Sequence, residues 1–349
     1  MIGIGPIRLT DDSERVFDAD EEIFLLYAAL QAHPLPSNIH RGLGFLDSQH
    51  DKLSVTIELK DPSLRPAPTS TSYGGKRSSR NSRKIHLKRE SEPDAVQVEL
   101  HQDKTRLHTA KGDTGSVLWR ASIDFATLVL QQHHAHNPAS LFECELLPSL
   151  TVLELGAGTG LLPLLLAPLV DHYTATDIPA LTPLISKNVQ LNSPNRKLCN
   201  VTVEALDWEE LHRTSASRRQ LFTYNDGRIA TEDSAVPDVI LAVDCIYNPS
   251  LVGPLVSTIN HFAAPDKTVV VVVSELRSEE VMRDFLEAWL RANTVPSSDQ
   301  DPQEQTNAIS TRWEIWRAGD GADGSGLLGV PYVTWIGRRV LTSSSSSES

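Results

Sequence analysis

From residue 151 onwards, short apolar and β-branched runs alternate with longer segments whose apolar residues recur at helical spacing. Runs at 151–155, 172–176, 200–205, 238–243 and 268–273 predict strands, and residues 161–170 and 278–291 carry the helical pattern between them. Strand and helix in alternation predict a parallel sheet covered by helices on both faces and connected right-handedly. Two further runs, 312–317 and 332–337, flank a glycine-rich turn at 319–326 and predict an antiparallel edge. Polar stretches at 213–235 and 296–310 read as surface insertions, and no internal repeat is present. The expected fold class is α/β, a Rossmann-like sheet with a β-rich N-terminal extension.

Before residue 118 the pattern is mixed. It predicts a helix at 21–31 and short strands at 53–59 and 96–100, separated by a Pro- and Ser-rich stretch at 62–93. The expected organisation is a β-rich region at 1–114 carrying that insertion, a core domain at 115–341, and a Ser-rich, disordered tail at 342–349. Within the insertion Lys76, Arg77, Arg80, Arg83, Lys84, Lys88 and Arg89 fall among Ser, Gly and Pro. That composition reads as a mobile, solvated linker, with a nuclear-import signal or a polyanion contact as the alternative.

At 349 residues the chain is long enough to fold on a hydrophobic core without disulfides or metal. Cys144, Cys199 and Cys245 are odd in number and widely separated, which argues against a disulfide framework or a CxxC site and for a reducing compartment. The cytoplasm is expected, with the nucleus left open by the basic cluster. No stretch approaches a membrane span or a signal sequence. The net charge of -13 disfavours direct nucleic-acid binding and favours a basic partner. His133, His134 and His136 lack partners at ligand spacing, so no metal site is expected, and the protein is expected to be a monomer.

The strongest chemical signal is Val152-Leu153-Glu154-Leu155-Gly156-Ala157-Gly158-Thr159-Gly160, an apolar strand entering a glycine-rich turn just before a helix. Glycines there allow a sharp turn and a close approach of backbone to ligand. The spacing is G-x-G-x-G and not the G-x-G-x-x-G of a dinucleotide fingerprint. Asp177 ends the next predicted strand, where its carboxylate can accept hydrogen bonds from ribose hydroxyls or, alternatively, cap the following helix. Trp119 and Trp208 flank strand ends and suit a flat aromatic ligand, or serve as packing.

Glu154 to Gly160, Asp177, Trp208 and Asp244-Cys245-Ile246-Tyr247, together with Val117-Leu118-Trp119-Arg120 and Ser274-Glu275-Leu276-Arg277, resemble the seven-β-strand protein lysine methyltransferases. The likeness spans roughly residues 115–317 and is strongest to the fungal branch acting on ribosomal lysines. It implies a seven-stranded methyltransferase sheet and S-adenosyl-L-methionine as cofactor. Cofactor contacts would come from Trp119, Gly156, Ala157, Gly158, Asp177, Trp208 and the backbone of Val243. It also implies a DxxY motif at Asp244 and Tyr247, and a basic, ribosomal protein substrate.

Asp244 should project from the carboxyl end of its strand, on the same rim as the glycine turn, where a methyl acceptor must arrive. Methyl transfer from a sulfonium is an in-line displacement, which needs alignment and exclusion of water more than acid-base machinery. A lysine acceptor must first lose a proton, its reference pKa being about 10.4. The expected catalytic pair is therefore Asp244, orienting the incoming ammonium, and Tyr247, shaping the channel. The competing roles are a helix cap for Asp244 and core packing for Tyr247; Glu275 could add a second carboxylate. Other functional classes remain: a methyltransferase for a small molecule or nucleic-acid base, a non-catalytic assembly factor that keeps the cofactor, and an NAD-dependent oxidoreductase. Asp244-Cys245-Ile246-Tyr247 in place of an Asn/Asp-Pro-Pro-aromatic string disfavours the base methyltransferase, and the glycine spacing disfavours the oxidoreductase.

Overall fold

The fold is seen in a computed structural model of the chain, whose described residues are 2–32, 50–60, 94–103, 115–226, 235–292, 311–319 and 328–342. The basic cluster at 76–89, most of the glycine-rich turn at 319–326, the insertion at 296–310 and most of the Ser-rich tail lie outside them.

In chain order the elements are β1 (Ile2–Ile4), β2 (Ile7–Leu9), β3 (Glu14–Val16), α1 (Ala19–Ala32), β4 (Lys52–Glu58), β5 (Ala95–His101) and α2 (Arg120–His134). The core follows with β6 (Thr151–Leu155), α3 (Leu161–Leu166), β7 (His172–Asp177), α4 (Thr182–Asn192), β8 (Val201–Ala205), α5 (Trp208–Arg213) and the short α6 (Ala216–Arg219). It ends with β9 (Val239–Val243), α7 (Pro249–Phe262), β10 (Val269–Glu275), α8 (Glu279–Arg291), β11 (Thr311–Arg317) and β12 (Tyr332–Leu341).

Among the described residues the main sheet has eight strands in the order β3-β11-β12-β10-β9-β6-β7-β8. The five from β10 to β8 are parallel; β12 runs antiparallel to β10, and β11 antiparallel to β12. Seven of the strands are those expected. The eighth, β3, comes from the N-terminal region and pairs with β11 through Glu14, Arg15 and Val16. Three residues are too few to show a period of two, so the sequence pattern could not reveal this strand.

β6, β9 and β10 are buried along their whole length. Successive side chains of a strand alternate between faces, so one set meets each helical layer. Val152, Leu241 and Val271 face one layer, packed with Phe125 of α2 and Leu165 of α3. Leu153, Ile240 and Val270 face the other, with Ile23 of α1, Leu255 of α7 and Phe285 of α8. The helix expected at 161–170 stops at Leu166 and continues as a 3-10 turn, Ala167–Leu169, because Pro168 has no N–H to continue the α-ladder.

Candidate active site

The chain leaves β6 for β7 and β8 on one side, then returns to β9 on the other, so the strand order reverses between β6 and β9. A reversal of this kind opens a crevice outside the carboxyl ends of the two strands, because their connections turn away in opposite directions. The glycine turn follows β6 at this point, and Asp244 to Tyr247 follow β9. The two segments touch: a Cβ on Gly156 would lie 2.9 Å from Cys245 Sγ and 3.2 Å from the Trp208 ring. Gly156 also has φ +75°, a conformation that L side chains resist.

The amides of the turn point into the protein. Gly156 and Ala157 both donate to the Thr176 carbonyl at 3.0 Å, and Gly158 donates to Asp177 Oδ2 at 2.8 Å. A phosphate-binding turn needs such N–H groups for its ligand. Here three successive ones are engaged, which removes the dinucleotide phosphate cradle as a reading of this turn. Its glycines instead permit close approach: a Cβ on Gly158 would lie 3.0 Å from the Gly115 carbonyl.

Asp177 accepts from Gly158 on one oxygen and from its neighbour Ile178 N–H at 2.8 Å on the other. Each carboxylate oxygen has a second lone pair, so hydroxyl donors of a ribose can still be accepted. The helix-capping alternative is not what the structure shows, since α4 begins at Thr182 with Leu181 at its N-cap.

Trp208 opens α5, held there by Asp207, whose side chain accepts from Glu209 N–H at 2.9 Å and Glu210 N–H at 3.3 Å. Its indole Nε1 is buried and makes no hydrogen bond among the described residues. An unpaired buried donor costs about 1–3 kcal/mol, which a ligand with an acceptor would recover. An orphaned N–H beside a glycine turn, with a carboxylate at the end of the adjacent strand, fits an aromatic nucleoside-type cofactor. Val243 ends β9, buried against the crevice. Trp119 is the N-cap residue of α2 and reaches the same crevice through its contact with Arg277.

On the acceptor side, Asp244 stands at φ +60°, a left-handed conformation that Asp tolerates better than most residues, and its N–H donates to the Val273 carbonyl at 2.7 Å. It caps no helix; Asn248 caps α7. Its carboxylate is held by Arg277, which donates to both oxygens, at 2.8 and 2.7 Å, and to Glu275 Oε2 at 2.9 Å. Burial pushes the Asp244 carboxyl above its ordinary pKa, and the Arg277 charge pulls it back. Burial likewise opposes the Arg277 charge, but its carboxylate partners outweigh this and raise its pKa. Tyr247 is 36% exposed on the rim, not in the core.

Three features of the site have contacts that the sequence could not place. Arg277 meets Asp244 only because β10 lies beside β9. Gly115 and Ser116 cover the glycine turn from a segment with no motif, and Ser116 Oγ is buried without a hydrogen bond among the described residues. Glu154, a charge inside an apolar strand, is buried with its Oε2 accepting from Tyr173 Oη at 2.9 Å. No cluster of three or more metal-ligating side chains occurs among the described residues.

A family model described as lysine methyltransferase matches residues 100–291. A Candida glabrata protein named ribosomal lysine N-methyltransferase 5 is 26% identical, over 80% of this chain and 90% of its own. A Xenopus tropicalis protein N-lysine methyltransferase, METTL21A, is 29% identical over 54% of this chain and 71% of its own. A Schizosaccharomyces pombe protein named diaminohydroxyphosphoribosylamino-pyrimidine deaminase is 33% identical over 54% of this chain. The match spans only 41% of that protein's length.

Proposed function

The chain belongs to the lysine methyltransferase family, and from that premise we propose that this S-adenosylmethionine-dependent protein-lysine N-methyltransferase modifies a lysine in a basic segment of a ribosomal protein. The observation that carries the reading is the switch-point crevice, which has the unpaired Trp208 N–H and Asp177 on its donor side and paired carboxylates on its acceptor side. The ribosomal substrate rests on the likeness to the Candida glabrata protein and on the acidic net charge of -13.

Bound S-adenosylmethionine supplies a methyl group on a sulfonium, an electrophile that an amine lone pair can displace. The glycine turn at Gly156, Ala157 and Gly158, with Asp177, Trp208, Trp119 and the Val243 backbone, would hold it. On the other side, the carboxylates of Asp244 and Glu275 attract and orient a cationic lysine head. The amine must be deprotonated to react, and partial desolvation inside the crevice favours its neutral form. Tyr247, half out of the rim, narrows the approach of the substrate chain. A monomer working in the cytoplasm, with access to the nucleus, is part of the same proposal.

The test is to incubate the protein with isotopically labelled S-adenosylmethionine and a salt-washed ribosomal protein extract, with Asp177→Ala as control. One labelled band, mapped to lysine and lost in the variant, is expected. Cofactor binding without any label in the extract would refute the ribosomal substrate.

A further inference from the structure

Arg277 occupies the place on the rim where the acceptor is expected. Its guanidinium donates in parallel to the two oxygens of Asp244, adds a bond to Glu275 Oε2, and stands with Cζ 5.0 Å from the centroid of a Trp119 ring. Two carboxylates and an aromatic face are the set of groups that recognises an organic cation. The Asp244 side chain is 3% exposed, whereas that of Arg277 is 26% exposed. An incoming chain therefore meets the guanidinium before it meets Asp244. Arg277 also lies between β10 and α8, outside both, so its head can leave by side-chain rotation without disturbing either element.

We propose that Asp244, Glu275 and Trp119 form a seat for the acceptor lysine's alkylammonium group, and that Arg277 is an internal stand-in that keeps this seat closed until a substrate lysine displaces it. The inference rests on the protein-lysine methyltransferase reading of the site. Its physical basis is exchange of like for like. Withdrawing a cation from two carboxylates, one of them deeply buried, is strongly unfavourable unless another cation replaces it. A neutral or acidic side chain brings no replacement, so only a cationic residue opens the seat. The device selects lysine-bearing chains and keeps the crevice filled between turnovers. It also reconciles the acceptor role of Asp244 with a structure in which both its oxygens are engaged.

The test needs no methyl transfer. n-Butylammonium, the lysine side-chain analogue, is titrated calorimetrically into the wild type, Arg277→Ala and Arg277→Gln. Both variants are expected to bind it about tenfold or more tightly than the wild type, the factor by which a seat open less than a tenth of the time weakens apparent affinity. Guanidinium ion should compete with n-butylammonium in Arg277→Ala, and the double variant Arg277→Ala/Asp244→Asn should lose the gain. Equal affinity in the wild type and the variants, or a gain that persists in the double variant, overturns the proposal. Should the alanine variant fail to fold, Arg277→Gln, which keeps the apolar stem and an uncharged amide donor, carries the comparison. In the wild type, saturating n-butylammonium should release the guanidinium, seen by nuclear magnetic resonance as faster exchange of its N–H protons. Unchanged exchange at saturation overturns the idea independently of any variant. Absence of methylation in the ribosomal extract would instead sink the substrate reading, leaving the cation seat to be judged by these titrations.

Discussion

Glu154 lies wholly buried beneath the glycine turn, and burial raises its carboxyl pKa to about 8 against the lowering effect of the hydrogen bond from Tyr173. A carboxyl whose folded pKa is raised stabilises the fold fully below its unfolded value and progressively less as pH climbs through the folded one. The window here runs from about 4.5 to about 8. At about 1.36 kcal/mol per unit, the stability lost across it is about 5 kcal/mol as an upper bound. Glu154→Gln keeps an acceptor for Tyr173 and has no proton to lose. Melting temperatures of the two proteins should therefore draw apart steadily between about pH 5 and pH 8, the variant being the more stable at the alkaline end; parallel curves would refute the buried-acid account. Glu154 was visible in the sequence as a charge in an apolar strand, but its state was not, because that depends first on how deeply the assembled fold buries it and then on the hydrogen bond from Tyr173 across the strand pair. Asp177 was legible for the opposite reason: its place is set by its own strand and the turn before it. Arg277 was legible only as the last residue of Ser274-Glu275-Leu276-Arg277; its bond to Asp244 was not, because nothing local marks a partner that follows the neighbouring strand.

The elements show the same division between local and distant causes. β6 was expected at 151–155 and is found there, and the other parallel strands fall within one or two residues of their expected limits, since a run of buried β-branched residues identifies itself. The docking of the β4–β5 hairpin had no such mark. It depends on two asparagines four apart on α4, hence on one helix face, which take the place of a neighbouring strand. Asn192 Oδ1 accepts from Glu99 N–H at 3.0 Å and its amide donates to the Glu99 carbonyl at 2.8 Å. Asn188 Oδ1 accepts from His101 N–H at 2.7 Å, and its amide donates to the carbonyls of His101 at 2.9 Å and Thr159 at 2.8 Å. Thr159 belongs to the glycine turn, so Asn188 ties the hairpin to the cofactor side of the crevice. Asn188→Ala strands three backbone groups at the cost of about 1–3 kcal/mol for each one left dry. Urea unfolding should show a loss on the order of 3 kcal/mol, and calorimetry a weaker affinity for S-adenosylmethionine. A variant with full stability and affinity would mean that the clamp is incidental.

For the whole molecule, the sequence suggested a boundary near residue 114, yet chain from the N-terminal side of it is built into the core. β3 extends the main sheet, α1 packs on α8, and Glu22 of α1 accepts from Trp335 Nε1 at 2.9 Å and from Arg317 Nη1 at 2.9 Å. Trp335 is fully buried, so removing α1 leaves its N–H unpaired and strips the apolar surface of α8. A fragment of residues 115–342 should therefore lack a cooperative thermal transition, while the full chain shows one; a fragment melting like the full chain would show that the core folds without the N-terminal region. The same scale governs encounter with substrate. A net charge of -13 attracts a basic partner over a distance set by the Debye length, which shrinks from roughly 14 to 7 Å between about 50 and 200 mM salt. Complementary charge acts chiefly on encounter and far less on a step inside a closed crevice. With a basic ribosomal protein as acceptor, KM should rise several-fold across that range while kcat holds. If instead kcat falls and KM stays constant, salt is acting on the cation seat or the fold, and the acidic surface has no part in capturing the substrate.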